Sequence, residues 1–193
     1  DSALALSNET GASLDSTVNL YARMARSTDE LGLSQGELLK ITKAVNQSMA
    51  VSGASTDEAG RAIVQFSQAI QGGQLRAEEY NAMIEQAPYL IEVMAESMGK
   101  TGGQFRQMML DGEVTAEMMT TAFLQMSEGI EEDFGKLPVT VARATNEVKN
   151  LLADAFGKAD LSPLVESIEE FGRVLSDPEI VKGLTDIASG IVK

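Results

Sequence analysis

The chain has 193 residues, with 29 acidic and 15 basic side chains and a formal net charge of −14. This acidic balance argues against direct binding to nucleic acid, because affinity for phosphate depends on lysine and arginine. Cysteine and histidine are absent, which excludes disulfides, thiolate metal sites and the commonest general base. No apolar run reaches the roughly eighteen residues that a membrane span needs.

Both ends of the sequence look like points at which a longer chain was cut. The first residue is Asp1 rather than Met, and the last predicted helix runs to Lys193. We therefore expect a fragment of a longer polypeptide. Residues 1–12 are small and polar and include Gly11, a composition that predicts a tail or connector.

Three amphipathic helices are predicted next. The first covers residues 13–31, and capping boxes at Ser34–Glu37 and Ser55–Glu58 predict the starts of the other two. A short glycine turn between the second and third favours an antiparallel pair. Their apolar faces carry, in order, Leu14, Val18, Tyr21, Met24 and Ala25; Leu38, Ile41, Val45 and Met49; and Ala59, Ala62, Ile63, Phe66, Ala69 and Ile70.

The stretch from Gly73 to Phe123 predicts several short helices with sharp corners between them. Pro88 suits the first turn of a helix, where its missing N–H would have no partner. Gly99 and Gly112 suit positions just past helix ends, where φ is often positive. The interpretation of Lys100–Gly103 is a helix end and a loop, with Thr101 capping the following helix.

A short sequence pattern occurs twice within this stretch, and we call this repeat the internal echo. Gly73-x-Leu75-x-Ala77-Glu78 and Gly112-x-Val114-x-Ala116-Glu117 share one pattern. In each, the apolar residue anchors a turn and the glutamate complements the positive end of the helix that follows. By itself the echo is compatible with any small helical protein.

The remaining sequence predicts four more helices. One runs from Thr115 past Met126 toward Phe134, and Gly135–Pro138 forms a firm break. The others cover about residues 139–157, 162–175 and 178–193, the last two starting at Ser162-Pro163 and Asp177-Pro178. Their apolar residues are Val141, Ala144, Val148, Leu151, Leu152, Ala155 and Phe156; Leu164, Ile168, Phe171 and Leu175; and Ile180, Val181, Leu184, Ile187 and Ile191.

No segment alternates with the period of two that a strand requires. The predicted fold class is all-α, an irregular bundle of eight or nine mostly short helices with no sheet. Hydrophobic heptads are not sustained long enough for a coiled coil.

The sequence offers no catalytic, cofactor-binding or metal-binding set. Gly99-Lys-Thr-Gly102 has Met94 where a phosphate loop needs glycine, and no predicted strand precedes it. The carboxylates at Glu78-Glu79 and Glu131–Asp133 lack the spacing of a calcium loop and fit solvated helix faces. A hydrolase acting through carboxylates is therefore the least favoured hypothesis.

Methionine is unusually frequent in the central stretch, which contains most of the ten in the chain. Core filling is the favoured interpretation, since methionine accommodates irregular gaps between short helices. The alternative is a helical interaction module with a methionine-rich groove that binds an amphipathic partner helix. One member of each adjacent pair must face away from a single stripe, so the candidate interface comprises Met108, Met109, Met118 and Met119.

In the order and spacing of its motifs, the stretch from Gly73 to Phe123 resembles the amino-terminal domain of phage tail tape-measure proteins. The similarity covers roughly residues 55–160. It departs from the family pattern at Gln86-Ala87-Pro88, where many members have glycine before the proline. The matching residues are Gly73, Leu75, Glu78, Glu79, Asn81, Pro88, Met94, Gly99, Met109, Gly112, Val114, Ala116 and Glu117.

The resemblance implies a structural protein rather than an enzyme, part of a tape measure that sets tail length and is ejected ahead of DNA. It implies tail assembly chaperones, tail tube and tail tip proteins as partners, with self-association as a further candidate. The expected location is the virion tail, and the host cytoplasm during assembly. On this interpretation, residues 1–12 are a connector, 13–160 the tape-measure domain, and 161–193 a helical pair leading into the rest of the chain.

Overall fold

The computed structural model describes residues 2–27 and 31–156, together with 166–167, 169–170, 172–173 and 182. The named helices in these residues are α1 (Ser2–Thr10), α2 (Leu14–Ala25), α3 (Gln35–Val51), α4 (Thr56–Gln71), α5 (Ala77–Gln86), α6 (Pro88–Ser97), α7 (Gly102–Leu110), α8 (Ala116–Gln125), α9 (Ser127–Gly135) and α10 (Val141–Phe156). The predicted all-α class is confirmed. The described residues form ten helices, so the predicted number of eight or nine is too low.

Local hydrogen bonds account for several helix starts. At Ser34 and Ser55 the serine side chain accepts from the N3 amide, and the N3 glutamate accepts from the serine amide. Both predicted capping boxes are therefore confirmed. Thr101 makes the same reciprocal arrangement with Gln104 at the start of α7, as expected for a threonine N-cap.

The predicted corners are also present. Pro88 occupies the first position of α6, where no intrahelical bond to its nitrogen is lost. Gly99 and Gly112 have φ angles of 62° and 73°. These left-handed conformations carry no Cβ penalty in glycine, so each chain reversal follows directly from the residue type.

Helix α3 lies at the centre of the bundle and contacts α1, α2, α4, α6, α8 and α9. Its whole predicted apolar face is buried, from Leu38 to Met49. Thr42 and Ser48 are buried as well, and each hydroxyl donates to the carbonyl four residues earlier at 2.8 Å. The polar side chains are therefore satisfied within the helix. Helix α4 packs mainly against α2 and α5. Its contact with α3 is less extensive than expected for the antiparallel pair that the sequence predicts.

The interpretation of residues 1–12 as a tail or connector did not include a helix, and in the structure Ser2–Thr10 form α1. This helix contacts α2, α3 and α10. Its buried residues are Ser7 and Thr10, whose hydroxyls donate to the carbonyls of Leu4 and Leu6 at 2.8 and 2.7 Å. Since small polar residues face inward, the sequence contains no hydrophobic stripe to reveal the helix.

The predicted face of α2 is also partly wrong. Val18 is 45% exposed, whereas Thr17, Leu20 and Met24 are buried. Thr17 occupies an inward position because its hydroxyl donates to Ser13 O at 3.0 Å and accepts from Asn46 Nδ2 at 2.9 Å. A satisfied polar residue thus rotates the buried face away from the purely apolar stripe.

The single helix predicted from Thr115 toward Phe134 is instead two helices, α8 and α9. Met126 lies between them with ψ of 0°. The Ser127 hydroxyl donates to Leu124 O at 2.9 Å, a local bond of the kind that competes with helix continuation. No glycine or proline marks this break. The predicted helices at 162–175 and 178–193 lie largely outside the described residues.

Candidate functional site

The two segments of the internal echo lie side by side in the structure. Leu75 N–H donates to Val114 O, and Ala116 N–H donates to Gly73 O, both at 2.9 Å. Gln74 and Thr115 form an isolated antiparallel bridge between these bonds. We call residues 73–77 and 112–117 the start junction, because α5 and α8 begin from it.

Burial fixes the start junction in place. The side chains of Leu75 and Val114 are completely buried, and Ala116 is nearly so. Both glycines have positive φ, 76° at Gly73 and 73° at Gly112. The chain can therefore reverse direction at each glycine and place the apolar residue two positions later into the core.

The remaining family-motif residues have different environments. Glu78 and Glu117 are exposed in the first turns of α5 and α8, where a carboxylate complements the helix dipole. Asn81 is exposed. Glu79 is half-buried, and its Oε2 atom has no hydrogen-bond partner.

Aromatic contacts support the helices around the junction. Phe66 of α4 meets Phe123 of α8 edge to face, with ring centroids 5.3 Å apart. Tyr80 of α5 and Phe105 of α7 lie 6.3 Å apart between centroids. Both distances fall in the range that stabilises aromatic pairs. Met83 and Met94 are fully buried in the same core.

The methionine pairs divide between core and surface. Met109 and Met119 are buried, with exposed fractions of 4% and 0%, so they cannot serve as the outward members of the candidate interface. Met108 and Met118 are half-buried. Met108 packs against the core, and the exposed Leu110 follows it at the end of α7.

The acidic cluster at Glu131–Asp133 is engaged in structural contacts. Lys43 Nζ lies 2.6 Å from Glu9 and 2.8 Å from Glu131, which links α1, α3 and α9. The Tyr89 hydroxyl donates to Asp133 Oδ2 at 2.7 Å. This bond, with a second from Lys136, lowers the pKa of Asp133.

In residues 2–27, 31–156 and the short described segments beyond them, no group of three or more acidic residues could hold a metal ion. None of the described helices is long and apolar enough to cross a membrane. Residues Gly99–Gly102 form a helix end and the capped start of α7, as the sequence predicts.

Sequence reasoning missed a polar clamp between α10 and the turn after α1. Asn146 Nδ2 donates to Gly11 O, and Asn150 Nδ2 donates to Ala12 O, both at 3.0 Å. Asn150 Oδ1 also accepts from Leu14 N–H at 2.9 Å. The sequence feature that could have predicted this clamp is a pair of asparagines four residues apart on the polar side of a strongly amphipathic helix.

A cleft of about 460 Å³ lies beside this clamp. Its lining includes Asn46, which is 2% exposed and whose Oδ1 has no hydrogen-bond partner, and Arg143, whose Nε also has none. The Arg143 guanidinium carbon lies 4.3 Å from the ring centre of Phe134, within cation–π range. The side chain of Arg143 is therefore held between the cleft and the core.

Comparison with known proteins identifies the family. A family model described as "Tape measure protein" matches residues 1–160, which include the start junction and all ten named helices. No curated protein and no solved structure matches the chain. The matched family is structural and belongs to phage tails. With most of its length matched from α1 through α10, the chain belongs to the tape measure protein family.

Proposed function

We propose that this chain is a folded helical module of a tape measure that sets tail length during assembly and leaves the tail ahead of the DNA. The observation that carries the proposal is the family match over residues 1–160. The structural character of the start junction supports it, since Glu78 and Glu117 lie in the first turns of α5 and α8, where their charge complements the helix dipoles. The residues 13–160 are the proposed tape-measure domain, with α1 packed onto it.

The ruler role is tested by changing the length of the parent protein outside this module. Each residue removed from a helical rod shortens it by about 1.5 Å, so deletions should shorten tails in proportion when tails are measured by electron microscopy. A matched set of equal-length sequence replacements in the same region controls for damage to assembly. Tails of unchanged length in the deletion series would refute the ruler role.

The proposed partners are tail assembly chaperones, tail tube proteins and tail tip proteins. Among the candidate interface residues, Met108 and Met118 have the exposed area to contact a partner, whereas Met109 and Met119 belong to the core. A Met118→Glu variant that keeps its fold but loses co-purification with tail proteins would support this surface. Full retention of those proteins by both Met118→Glu and Met108→Glu would exclude it.

The module would have to open before passing through a narrow tail tube. Helix α3 alone has 17 residues and spans about 25 Å, and the bundle packs other helices around it. We infer that the domain folds before assembly or at the end of the tail, and unfolds during ejection. Its many short helices with glycine corners favour stepwise opening.

A reversible crosslink at the start junction tests this requirement. Gln74 and Thr115 form a non-hydrogen-bonded antiparallel pair, whose Cα atoms lie about 4.5 Å apart, within disulfide range. The chain has no cysteine of its own. Phage carrying Gln74→Cys/Thr115→Cys should assemble, fail to deliver DNA when oxidised, and recover on reduction. The single-cysteine variants should deliver DNA under both conditions, and normal delivery by the oxidised double variant would refute the opening step.

A further inference from the structure

The cleft beside the polar clamp has mostly apolar walls and a few polar groups. It lies between the turn after α1, the corner that joins α3 to α4, and the start of α10, and its volume is about 460 Å³. Sites for small ligands typically measure about 300–1,000 Å³, so the cleft is large enough to hold one. The apolar walls include Met49, Ala50, Ala59, Ile63, Leu137 and Pro138.

The hydrogen bonds of Asn46 set the orientation of its amide. Its Nδ2 atom donates to Thr17 Oγ1 at 2.9 Å, and the Thr17 hydroxyl donates to Ser13 O at 3.0 Å. Because that hydroxyl has a single hydrogen and donates it to a carbonyl, it accepts from Asn46. The Asn46 Oδ1 atom is left on the other side of the amide, without a donor, in a side chain that is buried and lines the cleft.

Arg143 also lines the cleft, and it carries a donor that has no acceptor. Its Nε atom is buried and makes no hydrogen bond. The guanidinium carbon lies over the Phe134 ring, and the stem packs on Gly11, where an added Cβ would lie 2.8 Å from Arg143 Cγ. These two contacts hold the donor in place, and the guanidinium stays protonated at any ordinary pH.

The two atoms require opposite hydrogen-bonding groups. Asn46 Oδ1 needs a donor and Arg143 Nε needs an acceptor, since buried polar atoms are normally paired. A carboxylate would serve only Arg143, and an ammonium group would serve only Asn46. Glu58, the acidic residue in the described lining, already accepts from the Ser55 amide and hydroxyl at 2.8 and 2.6 Å. A neutral peptide group has both an N–H and a C=O, so it matches the pair.

We propose that this cleft binds an extended segment of a partner polypeptide that carries a small aliphatic side chain. A peptide N–H of the segment donates to Asn46 Oδ1, and a C=O of the same or the adjacent peptide group accepts from Arg143 Nε. The aliphatic side chain covers the apolar walls, which a water molecule in the same place would leave uncovered. A partner supplies the segment because the described helices of this chain leave the cleft open. This inference is independent of the ruler role.

A blocked amino acid tests the site in the full chain. The probe is N-acetyl-L-leucine amide, which has two amide groups and one aliphatic side chain. Titration followed by nitrogen–proton NMR should give saturable shifts of the cleft residues and of the Arg143 Nε–H signal, with a Kd of roughly 1 mM for a ligand of this size. N-acetylglycine amide lacks the side chain and should bind roughly tenfold more weakly.

Two variants test the hydrogen bonds, each with a matched control outside the cleft. Arg143→Met keeps the stem but removes the donor, and Asn46→Leu removes the acceptor, so each should weaken probe binding roughly tenfold. Arg106→Met, at an exposed position of α7, should leave the affinity unchanged. Asn8→Leu should do the same, since it removes another unpaired buried amide oxygen that does not line the cleft. Circular dichroism checks the fold of each variant, and the Arg143 pair decides the test if Asn46→Leu does not fold.

Several outcomes would overturn the proposal. Absence of saturable binding would do so, as would unchanged affinity in the folded cleft variants. A crystal structure grown with the probe that shows only water between Asn46 and Arg143 would reduce the cleft to a hydration site. Nuclear Overhauser contacts between the cleft and residues beyond 156 in the free chain would show that this chain, rather than a partner, supplies the segment.

Discussion

The amide nitrogen of Leu75 lies 2.9 Å from the carbonyl oxygen of Val114, and both side chains are completely buried. The two residues occupy equivalent positions in the repeated pattern that starts α5 and α8. The contact therefore joins the two copies of the echo to each other. It also fixes where both helices begin, because each glycine turn must deliver its apolar residue to the same part of the core.

Substitution of Gly112 by alanine should destabilise the domain. Its φ of 73° costs a residue with a Cβ about 1–2 kcal/mol, although an added Cβ would meet only Gln74 Oε1, at 4.0 Å. Gly129→Ala is the matched control, because Gly129 lies within α9, has no positive φ and has open space around it. That change should stabilise the protein by about 0.5–1 kcal/mol. Urea unfolding of both variants measures the difference, and equal stabilities would contradict the role of φ.

The adjacent methionines should differ in their contribution to stability. Met119 is completely buried and Met118 is half-buried. Met119→Ala should lower the free energy of unfolding by about 2–5 kcal/mol, and Met118→Ala should cost well under half as much. Chemical denaturation of the two variants checks this order. A larger loss of stability in Met118→Ala than in Met119→Ala would contradict the assignment of Met119, rather than Met118, to the core.

The contact between Tyr89 and Asp133 should make stability depend on pH. Its hydrogen bond lowers the pKa of Asp133, so the contribution is present above the ordinary aspartate pKa of 3.8 and is lost as pH falls through the lower pKa of the folded state. Tyr89→Phe should therefore be less stable than the parent at neutral pH. The difference should shrink on acidification below about 4.

Thermal unfolding between pH 2 and pH 7 measures this difference. Tyr21→Phe is the control, because the Tyr21 hydroxyl accepts a 3.4 Å bond from neutral Gln35. The Tyr21 variant should differ from the parent by a constant amount across the range. A Tyr89→Phe deficit that persists unchanged in acid would exclude the linkage to Asp133.

Removal of the Asn150 side chain should loosen α10 before the rest of the domain. Asn150→Ala leaves Ala12 O and Leu14 N–H without their partners, at a cost of about 1–3 kcal/mol. Amide exchange in α10 and in the turn at residues 11–14 should accelerate, while exchange in α3 should change less. Asn150→Asp should not restore the contact, because one carboxylate oxygen still accepts from Leu14 N–H but the other faces the acceptor Ala12 O at a buried position. Glu147 is exposed, so Glu147→Ala serves as the control. Equal amide protection of α10 in Asn150→Ala and Glu147→Ala would contradict the role of the polar clamp.

The sequence was most informative where one residue type serves one local purpose. Ser34 with Glu37 and Ser55 with Glu58 predicted helix starts, since a capping box is complete within four residues. Pro88, Gly99 and Gly112 predicted corners, because their φ preferences are intrinsic to the residue. The stripes of α3 and α4 predicted buried faces that the structure confirms, with Ala59 only partly buried.

The features that the sequence did not reveal depend on partners distant in the chain. Helix α1 has no hydrophobic stripe and is recognised only from its packing on α2, α3 and α10. Thr17 faces inward because Asn46 donates to it, and the break at Met126 has no glycine or proline to mark it. The division of Met108 from Met109, and of Met118 from Met119, depends on which side of α7 and α8 meets the core.

By itself, the sequence determined the all-α class, most helix boundaries and the resemblance to the tape-measure family, because local capping, turn and periodicity signals act over a few residues. The tertiary structure alone decided that the two copies of the echo bond to each other and that α10 docks through its asparagines. Hydrogen bonds between distant segments, such as Leu75 to Val114 and Asn150 to Ala12, form only when packing brings both partners together.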